Sequence, residues 1–313
     1  MNPPSAGGGF HALAKRILGV SPVGEVVRRI GALRRRSLVL VYHRIDEDGR
    51  PAGQIVPSVP ADVFGRQLDA LGEVGEIVPL QALLHEARRS ARPKFALTFD
   101  DDFVTHVDQA LPILSDRGVP ATFFLSGRSL LGVGSYWFEI LEHLIETGGM
   151  NEVRRVIGTR VEEAQSVVTA CENDPSLQRS IEESHDLSHN LDRAGIEALA
   201  AADMAIGFHT LRHEILTRLD DSALDAALAQ GRKQLEAVVG HPLLHFAYPH
   251  GKADRRTANG IRDAGYEAAW TGSPRPMHPR DDPYLLGRWE PGRLAVDDLL
   301  VGIAIRLNRG TQG

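Results

Sequence analysis

The sequence predicts an α/β fold: a largely parallel sheet or (β/α) barrel, interrupted by one helical insertion and preceded by a short basic extension. Three observations predict it. Apolar runs of strand length alternate with stretches at helical spacing along most of the chain. That rhythm breaks once, over residues 126–203, where the pattern is helical and no strand is evident. One apolar run, Phe95 to Phe99, stops on three consecutive carboxylates, Asp100, Asp101 and Asp102. Core packing has no use for three adjacent acids, and a divalent cation would relieve their repulsion.

The elements follow in order. Residues 1–9 are rich in Pro, Gly and Ser, and 10–36 read as two short amphipathic helices broken near Ser21-Pro22. Residues 37–44 are a branched apolar run, hence a first strand; 46–60 read as a loop. Residues 61–74 place Phe64, Leu68 and Leu71 at helical spacing, and 80–89 repeat the pattern. Strand 94–99, helix 104–117 and strand 121–125 come next, with Pro120 at the strand mouth, where its missing N–H costs least. After the insertion, strand 204–208, helix 222–239, strand 244–248 and helix 255–264 restore the rhythm. Short strands at 268–271 and 284–286 and a helix at 297–306 close it. The predicted division is a basic extension, 1–36, and a barrel, 37–313, that carries the insertion.

Composition bounds the function. At 313 residues with 42% apolar and 24% charged side chains, one large globular domain with additions is the economical reading. The single cysteine, Cys171, excludes an internal disulfide framework and a cysteine-based zinc site. Lys15, Arg16, Arg28, Arg29, Arg34, Arg35 and Arg36 against Glu25 give residues 1–36 a net +6, leaving −12 on the rest of a chain at −6. The acidic body argues against nucleic acid. The basic segment suits peripheral contact with an anionic membrane or packing on the barrel. It lacks the continuous apolar core of a signal peptide, and no run approaches the ~20 apolar residues of a membrane span. A cytoplasmic location, with the inner membrane face as a variant of it, is the expectation.

His-x-x-x-His spacing occurs three times, at 185/189, 209/213 and 241/245, so spacing alone is weak. Context separates the pairs. His185 and His189 lie in a polar run; His241 follows Gly240 at a helix end, and His245 opens a strand. His209 alone stands at the C-terminal tip of an apolar strand, the edge where parallel sheets build their sites. Two imidazoles and one carboxylate leave open positions on a cation for water and substrate.

Thr98-Phe99-Asp100-Asp101 with His209-Thr210-x-x-His213 resembles the polysaccharide deacetylases, the carbohydrate esterase family 4 with its NodB-homology domain. Tyr42-His43-Arg44-Ile45, Pro120-Ala-Thr-Phe-Phe124 and Phe246-Ala-Tyr-Pro-His-Gly251 extend the resemblance over residues 38 to about 290. It implies a distorted (β/α)7-type barrel that removes an N-acyl group, usually acetyl, from an amino sugar in a polysaccharide, oligosaccharide or glycan precursor. It further implies one divalent ion, zinc first with cobalt, nickel, manganese or iron as alternatives, held by Asp101, His209 and His213. Asp100 would be the general base and His43 the general acid. Tyr248, Pro249, His250 and Gly251 would offer backbone donors to the oxyanion, and Trp270 joins the substrate set.

Two features depart from the pattern. Asp102 stands where the family usually has glycine, and the family's late Leu-x-His acid is not evident, His278 being a poor substitute. Arg288 is the expected tether for Asp100, since the third motif lacks the usual arginine. Trp137 and Trp289 are candidates for stacking on sugar rings or for packing. Two other readings compete: a two-carboxylate glycosidase, whose acids must face each other across about 5–9.5 Å, and a catalytically impaired barrel that binds glycan or a partner protein.

Overall fold

Branched and aromatic residues suit a pleated, buried surface, and Ser37–Tyr42 forms the first strand, β1, buried at every position. The computed structural model describes residues 37–47, 55–86, 92–158, 164–185, 187, 190–278 and 280–309. The helices expected within 1–36 lie outside the described residues, as do the end of the helix expected over 80–89 and His189.

After β1 come β2 (Arg44–Asp46), β3 (Ser58–Pro60), helix α1 (Ala61–Val74), β4 (Glu76–Ile77), α2 (Leu80–Glu86) and β5 (Lys94–Asp100). A π-helical turn, His106–Ala110, leads into α3 (Leu111–Asp116), then β6 (Thr122–Leu125). Four helices, α4 (Trp137–Ile157), α5 (Ala164–Asn173), α6 (Pro175–Glu182) and α7 (Arg193–Ala201), fill the connection to β7 (Ala205–Phe208). The chain ends α8 (Asp221–Ala229), α9 (Arg232–Val239), β8 (His245–Ala247), α10 (Arg255–Asp263), β9 (Ala268–Trp270) and α11 (Val296–Arg309).

The sheet runs β1-β5-β6-β7-β8-β9, all parallel, with β4 beside the start of β5. It curls into a half-barrel. Residues 286–289 span the open side: the Leu286 N–H donates to the Ala269 carbonyl of β9, the Leu286 carbonyl accepts from the Thr271 N–H, and Trp289 bonds Val39 and Val41 of β1. These bonds satisfy both edge strands, which otherwise invite foreign pairing.

Strand alternation sorts the side chains into two layers. Leu38, Leu40, Phe95, Leu97, Phe99, Phe123 and Phe208 face outward against Phe64 and Leu68 of α1 and Ile303 and Leu307 of α11. Val39, Ala96, Phe124, Ala247 and Trp270 face the inside of the curl, where α2 adds Leu80 and Leu83. The helices between β6 and β7 carry a separate apolar cluster built on Ile140, Leu141, Leu144, Val167 and Cys171, and it reaches Val56 and Phe103 beside the site.

Four expectations are corrected. The loop over 46–60 contains a parallel β2–β3 pair. Residues 104–117 are a π-turn followed by a short helix. The single helix over 222–239 is two, broken at Gln230-Gly231, where Gly231 has φ +86 and a Cβ would sit 2.4 Å from the Ser126 carbonyl. Residues 284–286 form an isolated bridge to Trp270 rather than a strand.

Candidate active site and metal centre

β5 ends at Asp100, whose carboxylate points into the curl as Ala96 and Thr98 do. Adjacent strand residues face opposite ways, so Asp101 reaches the same space only by leaving the strand conformation. It does so at φ +69, in the left-handed region. Thr210, His213 and His250 share that region at φ +52, +54 and +57. Four of the five non-glycine residues with positive φ among the described residues thus surround one cavity or its ligands. Such strain costs about 1–3 kcal/mol per residue and persists where surrounding structure fixes it.

His209 follows the tip of β7, with its N–H on the Leu125 carbonyl. Its Nδ1 donates to the Ala247 carbonyl at 2.9 Å, which leaves the Nε2 lone pair facing the acids. His209 and His213 do not share a helical turn. The left-handed residues at 210 and 213 bend the loop so that both rings face Asp101.

The Asp101 Oδ1 lies 3.7 Å from His209 Nε2 and 3.6 Å from His213 Nε2. These gaps are too long for hydrogen bonds, and the buried Oδ1 has no hydrogen-bond partner. Two ligands of one zinc-sized ion, each ~2.1 Å from it, stand about 3.4 Å apart. Donor chemistry and spacing therefore fit a divalent cation, and this is the one candidate metal cluster among the described residues.

Electrostatics point the same way. Burial, reinforced by Asp100, Glu139 and Asp102 against the opposing charge of His43, pushes the Asp101 carboxyl up to about 8. Burial lowers His209 to about 4 and His213 well below the usual imidazole value, so both rings are neutral ligands near pH 7.

Arg288 grips Asp100 with both ends of its guanidinium, Nη1 to Oδ1 at 2.6 Å and Nη2 to Oδ2 at 2.7 Å. It also donates to Thr98 Oγ1. Burial alone would raise the Asp100 carboxyl; the Arg288 charge and bonds, with His209, hold it at about 2. The residues are 188 positions apart, and the segment that spans the open side of the barrel brings them together.

His43 lies at the bend between β1 and β2 and opens on the same cavity. Its Nδ1 stands 3.2 Å from Glu290 Oε1. Burial would lower the ring; Glu290, followed by Asp101 and Asp100, outweighs burial and raises it to about 9. Glu290 was not among the sequence candidates. Its signal was alternation: two residues past Arg288, it shares that residue's face.

The Tyr248–Gly251 loop is placed differently from its prediction. The Tyr248 N–H is already given to the Trp270 carbonyl, its ring is sealed and its hydroxyl donates to the Tyr284 carbonyl. Pro249 is buried and has no N–H, and the Gly251 N–H bonds the Tyr248 carbonyl. His250 holds the loop's one backbone N–H without a hydrogen-bond partner among the described residues, and it lines the cavity with Gly251. Trp270 is fully buried in the inner layer and does not reach the cavity. Trp289 packs outward under Arg306, 3.8 Å from its ring centroid. Trp137 does line the cavity.

Asp102 turns away from the cation ligands. It accepts from Ser126 N at 2.7 Å, Ser126 Oγ at 2.5 Å and Arg128 N at 3.3 Å. Its own backbone is not in the positive-φ region, so the side chain that replaces glycine causes no strain of that kind and ties the acidic loop to the end of β6.

The cavity encloses about 370 Å³. The helices between β6 and β7 form one wall through Trp137, Phe138, Val168 and Glu172, and residues 55–57 form another. Glu142 of α4 joins the two walls, accepting from Ile55 N, Val56 N and Arg44 Nη1.

Fold and site define a parallel half-barrel with a candidate cation cluster and a tethered carboxylate at the C-terminal edge of its strands. Residues 87–269, more than half of the chain, match the sequence pattern of the polysaccharide deacetylases. The chain belongs to that family, and it is a hydrolase class that acts on carbohydrate. Comparison with curated proteins gives no match. Among solved structures, the Streptococcus pyogenes deacetylase PplD, determined with acetate, superposes with a TM-score of 0.61 at 17% identity, covering 86% of this chain and 98% of that one. IcaB from Ammonifex degensii gives 0.57 at 21%, covering 87% and 97%. BC0361, a polysaccharide deacetylase from Bacillus cereus, gives 0.58 at 16%, covering 86% and 69%. At these identities the likeness is one of fold. No helix among the described residues is long and apolar enough to cross a membrane.

Proposed function

We propose that this chain removes an N-acyl group, acetyl first, from an amino sugar of a glycan or glycan precursor, with one divalent cation as cofactor. The observation that carries the reading is the convergence of Asp101, His209 and His213 beside a second carboxylate that Arg288 holds ionised. Asp101, His209 and His213 would hold the cation, which when bound supplies polarisation of the acyl oxygen and a more acidic water.

The chain's own groups do the rest. Asp100, ionised throughout the working range, takes the proton of the attacking water. His250 lines the cavity, and its N–H is assigned as the donor for the developing oxyanion; such a donor contributes about 3–4 kcal/mol. The water oxygen bonds to the acyl carbon and the C–N bond breaks. His43, kept protonated by Glu290, gives its proton to the leaving nitrogen, which departs as an amine. Arg288 stops Asp100 from swinging away or taking a proton from bulk solvent.

Asp102 does not favour an impaired scaffold, because its carboxylate is satisfied by the β6 loop rather than aimed at the substrate. The test is acetate release from N-acetylated amino-sugar oligomers by metal-loaded, chelated and Asp100→Asn protein. Loaded wild type should be active, and the other two should fall by about 10²–10⁴-fold, with the variant keeping its cation. Full activity after chelation would end the proposal.

A further inference from the structure

We propose that Glu172, on the helical connection between β6 and β7, is the residue that selects the sugar: it accepts hydroxyl hydrogen bonds from a neutral amino sugar and turns acidic glycans away. This rests on the deacetylase reading and adds a substrate class to it. Val168 and Glu172 lie one turn apart on α5 and both line the cavity. The Glu172 carboxylate stands 3.8 Å from His250 Nδ1, and the His250 ring centroid is 4.5 Å from that of His213. Glu172 therefore sits about one imidazole beyond the cation ligands, where the ring that bears the acyl group would present its hydroxyls.

Its position is fixed from the barrel side. Arg218 donates to the Glu172 carbonyl at 2.6 Å, pinning the end of α5. The side chain is about a third exposed, so it is open to a ligand. A carboxylate is an acceptor only, which suits hydroxyls and repels carboxylates and sulfates.

The charge balance of the cavity supports the same choice. Asp100, Asp101, Glu172 and Glu290 line it, and Arg288 is the one Arg or Lys among the described lining residues. Its guanidinium is spent on Asp100, and His43 faces Glu290. An acidic sugar finds no unengaged cationic side chain there among the described residues.

The test compares cation-loaded wild type and Glu172→Gln on two probes: a fully N-acetylated glucosamine tetramer and an oligomer of equal length in which uronic acids alternate with the N-acetylated units. The Gln amide oxygen still accepts a hydroxyl but without the charge, so kcat/KM on the neutral probe should fall roughly 5- to 10-fold, carried by KM. The preference for the neutral over the acidic probe should shrink by a similar factor. An equal loss on both probes, or no loss on either, overturns the assignment. Wild type inert toward both would instead sink the deacetylase reading, and this assignment with it.

Discussion

Cation binding should expel close to one proton at pH 6, and the proton should come from Asp101. Without a cation that carboxyl titrates at about 8, because it is buried among like charges. His209 titrates at about 4 and His213 well below its usual value, so neither ring holds a ligand-blocking proton at pH 6. Two pH units below its midpoint Asp101 is about 99% protonated, and stripping that proton costs roughly 2.7 kcal/mol. The apparent affinity at pH 6 should therefore be about 100-fold weaker than above pH 8, with a slope near tenfold per pH unit between. Titration calorimetry with zinc or cobalt at pH 6, repeated in buffers of different protonation enthalpy, counts the protons released. A count near one that disappears in Asp101→Asn is the expected outcome. Zero protons, or two to three, would refute the charge states assigned to the cluster. Stability gives an independent check. A carboxyl raised above its unfolded value stabilises fully below about 3.8, and that stability is lost as pH rises through about 8. Chelated protein should melt lower toward pH 9, while ion at 1,000 times its Kd adds about 4 kcal/mol.

Three further outcomes follow from single contacts. Arg288→Met strips Asp100 of its partner, so the acid limb of the pH–rate profile should move up from about 2, and urea unfolding near pH 7 should show a loss of about 3–5 kcal/mol; because a depressed carboxyl stabilises above about 3.8 and loses this as pH falls through about 2, the gap should narrow in acid. Glu290→Gln removes the main support of the His43 proton, so the alkaline limb should fall from about 9 toward the ordinary imidazole range in a kcat profile. Glu142→Ala breaks the Arg44 pair and frees two N–H groups of the cavity wall; chemical denaturation should show a loss of about 3–5 kcal/mol, with KM rising more than kcat falls.

The chemistry was more legible than the geometry that delivers it. Asp100, Asp101, His209 and His213 announced themselves because cation ligation needs those side chains at strand tips, and strand tips are visible as the ends of apolar runs. Arg288 was legible only through the family resemblance, which implies an arginine tether that the third motif lacks; no local pattern could have shown the contact across 188 residues. Trp270 and Tyr248 were misplaced for different reasons: alternation shows that Trp270 faces the curl but not that it lies deep beneath Leu286 in the inner layer, whereas Tyr248, next to inward-facing Ala247, turns outward and gives its N–H to the Trp270 carbonyl. Glu142 and Glu172 resemble the solvated acids of any surface helix, and only the packing of the helical connection onto residues 55–57 and Arg218 gives them a purpose. The β2–β3 pair, three residues a side, is too short to carry a period.

Three adjacent aspartates, chemically identical, end in three different environments, and this division explains why the run exists. Had all three stayed equivalent, their repulsion in a buried site would have kept most of them protonated. Arg288 takes Asp100 and holds it ionised as a proton acceptor. The Ser126 and Arg128 donors take Asp102, whose bonds oppose the upward push of its burial and bind the acidic loop to β6. Asp101 has neither arrangement: its buried Oδ1 has no hydrogen-bond partner, and the imidazoles beside it are uncharged. A residue so placed is the one that a cation would discharge, and its left-handed backbone is held in place by the contacts that satisfy the residues on either side. Removing the Ser126 hydroxyl should therefore weaken cation binding without touching a ligand, because Asp102 would lose its shortest bond and the loop its anchor. A Ser126→Ala variant that binds zinc as tightly as wild type would show that the loop's shape is set by Asp101 and Arg288 alone.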